Sequence, residues 1–509
     1  PYFLARERVQ RADVIVANHD LVLAVLALGG GAVLPAPEET VYVFDEGHHL
    51  ADKALGHLRR FARALGGSAG VEGAERLLGT LAQRRGRDGL LVETAQRAAL
   101  AGEPLREGLR RALELAEALP GLDERPARRP GQRPTHRFPL GDPGPALRTL
   151  AGELARGHAE LGAALELAAE HLRGEIGEAG EGREETESWL TALARQLGRI
   201  EGAAALWSDF AADPREAVHA RWVTRPERSE ADTSLDVEFQ ASPLDAAVSL
   251  TEVLWERCFA AVVTSATLTT TGGFQRFAER TGIPPGSRYV SAPSAFPYAE
   301  RAVLAVPRMA SDPGRAEAHA EEVARLLPQL LDPDEGTLVI FTSWRQLDQV
   351  TAALPPALLA RVLSQATATK HRILVDHRTR IDAGEGSVIF GLASFAEGID
   401  LPGDYCRHVV ITKLPFAVPD DPVEAAVAEW LESMGRNPFM EVSVPDAALR
   451  LKQACGRLMR SETDTGRVTL LDPRLTTRRY GREILDVLPP FERRLGAAAE
   501  RGSGSRLSS

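Results

Sequence analysis

Two adjacent carboxylates, Asp45 and Glu46, follow directly on the apolar run Val41 to Phe44, VYVF. A strand that ends in such a pair delivers both groups to the C-terminal edge of a sheet, where the ligand crevices of parallel α/β folds open. The side chains diverge there, so Asp45 can hold the shell of a Mg²⁺ ion while Glu46 polarises an attacking water. His48 and His49 complete the run DEGHH. Alone, such a pair is more often a solvated strand end or a helix cap, and it calls for partners elsewhere in the chain.

Those partners stand near the other end. Gln453 to Arg460, QACGRLMR, supplies a glutamine and two arginines. If the segment is a helix, the step from Arg457 to Arg460 sets both guanidinium groups on one face, within reach of a single polyanion; an amphipathic helix with solvated arginines is the plainer reading. Gly391 to Gly403, GLASFAEGIDLPG, reads as a strand-exit loop. Gly398 would permit a tight backbone there and Asp400 would accept from a ribose or an arginine, unless the segment is simply a glycine-containing turn. Phosphoryl transfer depends on positioning and on neutralising charge over the transferred oxygens. Carboxylates on one sheet and arginines on another therefore imply two sheets that close around a nucleotide.

The elements that must position these groups are visible as changes of pattern. Short apolar strands are expected at Ala12 to Asn18 and Val41 to Phe44, in a first α/β block. After Leu50 the chain turns rich in Ala, Leu, Arg and Glu. Leu147, Leu150, Leu154, Leu161, Leu165 and Leu172 share one helix face, as do Trp189, Leu193, Leu197, Ile200 and Trp207. Between these helices a loop from Pro120 to Pro145 carries Arg125, Arg128, Arg129, Arg133 and Arg137, read as a solvated charge run with contact to a nucleic-acid backbone as the minority reading. Strand character returns near Leu235 to Phe239 and strengthens at Phe259 to Val263, which leads into Thr264 to Leu268, TSATL. Further strands at Thr337 to Phe341, Ser387 to Phe390, His408 to Ile411 and Arg467 to Leu471, each followed by helix signals, predict a second doubly wound sheet. Gly502 to Ser509 reads as a disordered tail.

Length and composition agree with a chain of several domains. At 509 residues it should divide into about three or four. The net charge of −11 excludes uniform coating of nucleic acid and leaves a local basic groove open. Cys258, Cys406 and Cys455 lack the close spacing of metal sites or disulfide frameworks. No membrane-length apolar run and no leader pattern occur, so a cytoplasmic location is expected. The chain opens on Pro1 in mid-pattern, and the natural protein is expected to extend upstream.

With these residues in place a family resemblance becomes specific. DEGHHL, TSATL, LVIFTSW, FAEGIDLPG and QACGRLMR occur in the order of motifs II to VI of the superfamily 2 helicases. The long insertion between the first two resembles the arch of the iron-sulfur group. PYFLARERVQRADVIVANHDLVL, the variant DEGHHL and SETDTGRVTLLDPRL resemble the bacterial DinG family within it. The resemblance implies two RecA-like doubly wound motor domains, the first interrupted by a long all-α insertion. The divisions are then 1–55, an insertion at 56–235, a return at 236–300, a second motor domain at 301–495 and a tail at 496–509. It further implies ATP and Mg²⁺ as ligands and 5′-to-3′ travel on single-stranded DNA with unwinding of forked or flapped duplexes. A monomer in DNA repair or replication rescue is expected.

By the same resemblance Asp45 binds Mg²⁺, Glu46 activates water, and His48 links the nucleotide site to its neighbours. Ser265 and Thr267 couple nucleotide state to DNA, while Gln453, Arg457 and Arg460 sense the γ-phosphate. Asn18, His19, Thr342, Ser343 and Lys413 are the candidate DNA contacts, although each also reads as a strand-end residue. Gly47 stands where many relatives have Ala, a change expected to be harmless. Two departures matter more: the chain has no Gly-Lys-Thr or Gly-Lys-Ser phosphate loop, and its three cysteines cannot replace those that hold an iron-sulfur cluster. The cluster is expected in the full-length protein, with ligands outside this chain, and the fragment is expected to be inactive alone. The rival reading is a non-catalytic nucleic-acid-binding scaffold that kept the helicase fold.

Overall fold

The computed structural model describes residues 8–9, 11–27, 29–31, 33–86, 88–122, 133–176, 183–216, 218–226, 236–270, 273–332, 334–396, 398–417 and 421–496. Pro1 to Phe3, Arg125, Arg128, Arg129, Leu235, Glu397 and the tail from Gly502 lie outside them. The first block opens with α1 (His19–Ala27), β1 (Val41–Phe44) and α2 (Leu50–Leu58). Tyr42 and Phe44 turn inward and Val41 and Val43 outward, the period-two pattern of a half-buried strand. Ala12 to Asn18, expected as a strand, forms no regular secondary structure and pairs with no strand among the described residues. Val14 and Val16 are 81% and 96% exposed there, because no strand among the described residues offers them a hydrogen-bond ladder.

The insertion is built on four long helices, α3 (Ala64–Arg84), α4 (Gly89–Glu117), α5 (Gly144–Ile176) and α6 (Arg183–Ala211). The six leucines of α5 predicted from the sequence are all buried, as are Leu193, Ile200 and Trp207 of α6. Helices α4 and α5 approach closely through a reciprocal fit. A methyl group on Gly108 would meet Leu154 at 2.8 Å, and one on Gly157 would meet Leu105 at 2.7 Å. Asp88 caps α4 by accepting from the Leu90 and Leu91 amides, and its other oxygen meets His171 Nε2 of α5 at 2.5 Å.

The insertion is not helical throughout. β2 (Arg60–Arg63), β3 (Thr135–Arg137), β4 (His219–Thr224) and β5 (Glu238–Pro243) form an antiparallel sheet in the order β2-β5-β4-β3. These strands are short and far apart in sequence, so no hairpin signal announces them. β5, read from the sequence as the return to the first block, closes the insertion's own sheet instead. At the centre of this sheet Arg221 is fully buried and donates Nε to the Asp209 carbonyl (2.7 Å), Nη1 to Gly141 (2.5 Å) and Nη2 to Ala212 (3.2 Å).

After the insertion β6 (Ala260–Val263) pairs in parallel with β1, Val41 opposite Ala260 and Phe44 opposite Val263. Helix α7 (Gln275–Thr281) follows. The second block is a seven-stranded, wholly parallel sheet of β7 (Ala302–Val306), β8 (Gly336–Phe341), β9 (Val362–Ser364), β10 (Ser387–Leu392), β11 (His408–Ile411), β12 (Gly466–Leu470) and β13 (Glu492–Leu495). Its order is β13-β7-β12-β11-β8-β10-β9. Leu338 and Ile340 of β8 enter one core, and Val339 and Phe341 enter another on the opposite face, as a doubly wound sheet requires. Helices α8 (Ala316–Leu330), α9 (Trp344–Ala352), α10 (Lys370–Asp382), α11 (Pro422–Ser433), α12 (Val444–Cys455) and α13 (Arg479–Val487) complete the block. The insertion's sheet also rests on α11: Ala220 and Trp222 pack on Ala426, and both oxygens of Glu429 are taken, by Arg137 at 2.5 Å and by the Leu140 amide at 2.7 Å.

Removing the Arg221 side chain takes its donors from one buried and two partly buried carbonyls. Arg221→Ala is expected to lower the stability of the insertion by about 3 kcal/mol, read as a shift in the thermal unfolding midpoint; an unchanged midpoint would contradict this account of the sheet.

Candidate active site

The ladder between β1 and β6 continues past both strands and sets the site. Thr264 donates its amide to Phe44 O, and Gly47 donates its amide to Thr264 O, both at 2.9 Å. This carries the Asp45-Glu46 turn against Ser265. Glu46 is one of two non-glycine residues with positive φ among those described (φ 48°, ψ 41°), a left-handed conformation costing about 1–2 kcal/mol. Asp45 accepts from the Glu46 amide at 3.0 Å, and both carboxylates face solvent. Gly47 sits close against Val263. A methyl group on it would lie 2.1 Å from Val263 Cγ1, so an alanine would need Val263 to move.

From Glu46 a chain of polar contacts crosses between the blocks. Ser265 Oγ donates to Glu46 Oε2 at 3.1 Å, and His48 Nδ1 lies 2.8 Å from Ser265 Oγ and 3.3 Å from the same carboxylate oxygen. On the far side of the ring, Gln453 Nε2 stands 2.7 Å from His48 Nε2 and 3.5 Å from Thr267 Oγ1. Ser265 Oγ also accepts from the Thr267 amide at 3.1 Å and meets Thr267 Oγ1 at 3.2 Å. Gln453 belongs to α12 of the second block and the other groups to the first, so the sequence-predicted Glu46, His48, Ser265, Thr267 and Gln453 form one network. Burial, with the adjacent His49 ring at 3.8 Å, pushes the His48 pKa down to about 4. The imidazole is therefore neutral at physiological pH. With Nε2 accepting from Gln453, its proton sits on Nδ1, directed at Ser265 and Glu46.

The arginines are arranged differently from the expected helix face. Helix α12 stops at Cys455, and Gly456 to Arg460 is a turn, because the chain bends away after Gly456 to enter β12. The two guanidinium groups still converge, through a shared acceptor. Arg457 Nη1 and Arg460 Nη2 both donate to the Ile399 carbonyl, at 3.2 and 2.7 Å, and Arg460 Nε lies 3.5 Å from the exposed Asp400 carboxylate. Gly398, at φ 67°, makes the bend that presents this carbonyl. Sequence reasoning missed Asp464. It accepts from the Arg460 and Ser461 amides and from Ser461 Oγ, at 2.8, 3.0 and 2.6 Å, and so fixes the arginine's backbone. Burial alone would raise the Asp464 pKa, and these bonds outweigh it to hold the carboxyl below its usual range. The signal was the Ser-x-x-Asp spacing after Arg460.

The remaining candidates have structural partners. Asn18 caps α1, accepting from the Leu21 amide at 2.8 Å, and His19 packs edge-on against Phe44. Ser343 caps α9, Thr342 faces Gln346, and Lys413 Nζ donates to the Pro313 carbonyl at 2.8 Å. Burial pushes the Cys406 and Cys455 thiols up to about 12, so they stay protonated in the second-block core. No group of three or more His, Cys, Asp or Glu side chains among the described residues is placed to hold a metal ion by itself.

Known proteins share this pattern. The Helicase C-terminal domain family matches residues 328–491. Solved structures named as apo XPD and S. tokodaii Xpd4 cover 90% and 91% of the chain, and the chain covers 77% of each. Their identities are 16% and 14%, with TM-scores of 0.45 and 0.47. The ATP-dependent DNA helicase DinG of Photobacterium profundum is 35% identical over 97% of this chain and 70% of its own length. The protein of the same name from Escherichia coli (strain K12) is 33% identical over 96% and 68%. With such identity over nearly the whole chain, the chain belongs to the DinG family of helicases.

Proposed function

We propose that this chain is the greater part of a motor that couples ATP hydrolysis to 5′-to-3′ travel on single-stranded DNA, unwinding forked or flapped duplexes in repair or replication rescue. The observation that carries the reading is the contact chain from Glu46 through Ser265 and His48 to Gln453, which makes the catalytic carboxylate of one block sensitive to the position of the other. Glu46 orients and deprotonates the attacking water, Asp45 would hold the Mg²⁺ ion through its water shell, and Arg457 and Arg460 approach the γ-phosphate from the loop at Ile399. Two solvent-facing carboxylates at a strand end suit Mg²⁺, which needs few protein ligands besides water and phosphate and would neutralise charge on the phosphate oxygens. Asn18, His19, Thr342, Ser343 and Lys413 then line the strand's path as hydrogen-bond and phosphate contacts, and the protein works as a monomer in the cytoplasm. Cys258, Cys406 and Cys455 do not fit an iron-sulfur site, since two are deeply buried protonated thiols, and nothing in the mechanism passes through them.

Because the chain carries no Gly-Lys-Thr/Ser loop to cradle phosphates, it should hydrolyse ATP negligibly by itself; robust phosphate release from the isolated 509-residue chain would contradict that. In a protein where this chain is joined to such a loop, Glu46→Gln should keep ATP binding and abolish DNA-stimulated hydrolysis. Turnover at the wild-type rate would remove Glu46 from its role. His48 supplies a pH test. Its folded pKa lies below the unfolded value near 6.5, so acid protonates the unfolded chain first, and its contribution to stability is intact above about 6.5 and is lost as pH falls towards about 4. Denaturant titrations across this window should show a shallower pH dependence for His48→Gln than for wild type, by up to about one proton. Equal slopes would mean that His48 is not the neutral bridge.

A further inference from the structure

The network through Ser265 and His48 reaches the second block near the end of α12, where Gln453 stands. A second tie, which the mechanism above does not use, holds the start of the same helix. Arg276 of α7 donates Nη2 to Asp446 Oδ1 at 2.5 Å and Nη1 to the Glu441 carbonyl, in the turn that leads into α12. The pair is mostly covered, with 17% of the Arg276 side chain and 26% of Asp446 exposed. Contacts so shielded from water hold a fixed geometry, and loss of either partner leaves a charge uncompensated. Asp446 lies in the first turn of α12, where the helix dipole favours a carboxylate. Neither residue falls within the motif runs that frame the nucleotide site.

Helix periodicity turns these contacts into a closed circuit. Arg276 and Arg280 are four residues apart in α7 and share a face. Arg280 Nη2 donates to Asp52 Oδ1 of α2 at 2.6 Å and also feels the charge of Asp446. Asp52 follows His48 by four residues. In the second block Asp446 and Gln453 are seven residues apart, two turns of α12, and lie on one side of it. Contacts therefore run from His48 by way of Asp52, Arg280 and Arg276 to Asp446, then along α12 to Gln453 and back to His48. Helix α7 is itself anchored in the first block, since Trp255 Nε1 donates to the Thr281 carbonyl at 2.6 Å and Phe277 is buried. The first block thus grips α12 at two points roughly 10 Å apart along the helix. Arg457 and Arg460 follow in the turn that leaves α12, so the same grip sets the angle at which they meet a nucleotide.

We propose that Arg276 is a positioning residue for ATP hydrolysis: its pairing with Asp446 is the pivot about which α12 swings to bring Gln453, Arg457 and Arg460 to the nucleotide. This rests on the hydrolytic reading above and adds what aims the second block's groups. With the start of α12 held, a small rotation there becomes a displacement at Gln453, and the contact with His48 opens while the blocks stay joined.

The test uses the protein in which this chain is joined to a phosphate loop, with ATP hydrolysis followed at saturating single-stranded DNA. Arg276→Ala should lower kcat about ten- to a hundred-fold and leave KM for ATP within about three-fold, because misaimed groups cost transition-state stabilisation while the phosphate loop still binds the nucleotide. Arg276→Lys, which keeps a cation for Asp446, should recover most of the rate. The exchanged pair, Arg276→Asp with Asp446→Arg, should be faster than either of its single changes. Arg276→Ala combined with Gln453→Ala should lose less than the product of the two single losses, since the pivot acts through α12. Wild-type kcat in Arg276→Ala, a loss confined to KM, or losses that multiply in the double variant would each overturn the pivot. Should Arg276→Ala not fold, the exchanged pair decides, and a pair no faster than its single changes counts against the proposal. A wild-type protein without DNA-stimulated hydrolysis would instead sink the hydrolytic reading.

Discussion

A neutral imidazole at His48 is the constraint on which the junction of the two blocks depends. The ring must accept on one nitrogen and donate from the other, since Gln453 offers an N–H to Nε2 while Ser265 and Glu46 offer oxygens to Nδ1. A doubly protonated ring would turn its Nε2 from acceptor to donor and face the Gln453 amide hydrogens with another hydrogen. Burial prevents this by making the charged form expensive. The local backbone serves the same end: the left-handed Glu46, the close fit of Gly47 on Val263 and the ladder bonds through Thr264 hold the ring and its carboxylate in one orientation.

The arginine side of the site rests on a different kind of support. Arg457 and Arg460 are held by a backbone carbonyl and an exposed carboxylate, contacts that a phosphate can outcompete. The pair is thus gathered without being locked. Asp464 supplies the rigidity where it does not compete, at the Arg460 and Ser461 backbone and the Ser461 hydroxyl. A residue of this sort shapes a site without pointing into it.

Much of this was legible in the sequence. The strands of the second block most easily read were those buried on both faces, such as Leu338 to Phe341, where continuous apolar runs leave no other reading. β13 escaped because Glu492, Arg493 and Arg494 make it a charged edge strand, and β9 because three residues show no period. Ala12 to Asn18 misled in the opposite way: its apolar alternation is that of a strand, but pairing needs a neighbour and the pattern does not say whether one is there. At the site, Glu46, His48, Ser265, Thr267 and Gln453 were found through motifs. That they meet in one network depends on approach of the blocks, which no local pattern records. The end of α12 at Cys455 was hidden because one glycine is a weak stop signal.

The parallel pairing of β1 with β6 has a consequence for how the chain folds. The partners are separated by about 200 residues, so a disordered intervening chain would make their meeting slow and entropically unfavourable. The insertion removes most of that distance. Its own first and last strands, β2 and β5, are adjacent in one antiparallel sheet, Arg60 opposite Ala241 and Arg63 opposite Glu238. Once the insertion has formed, the two ends of the first block emerge side by side, and β1 and β6 are joined by a short tether. The interruption that splits the first block in sequence thus also shortens the effective loop that separates its two strands.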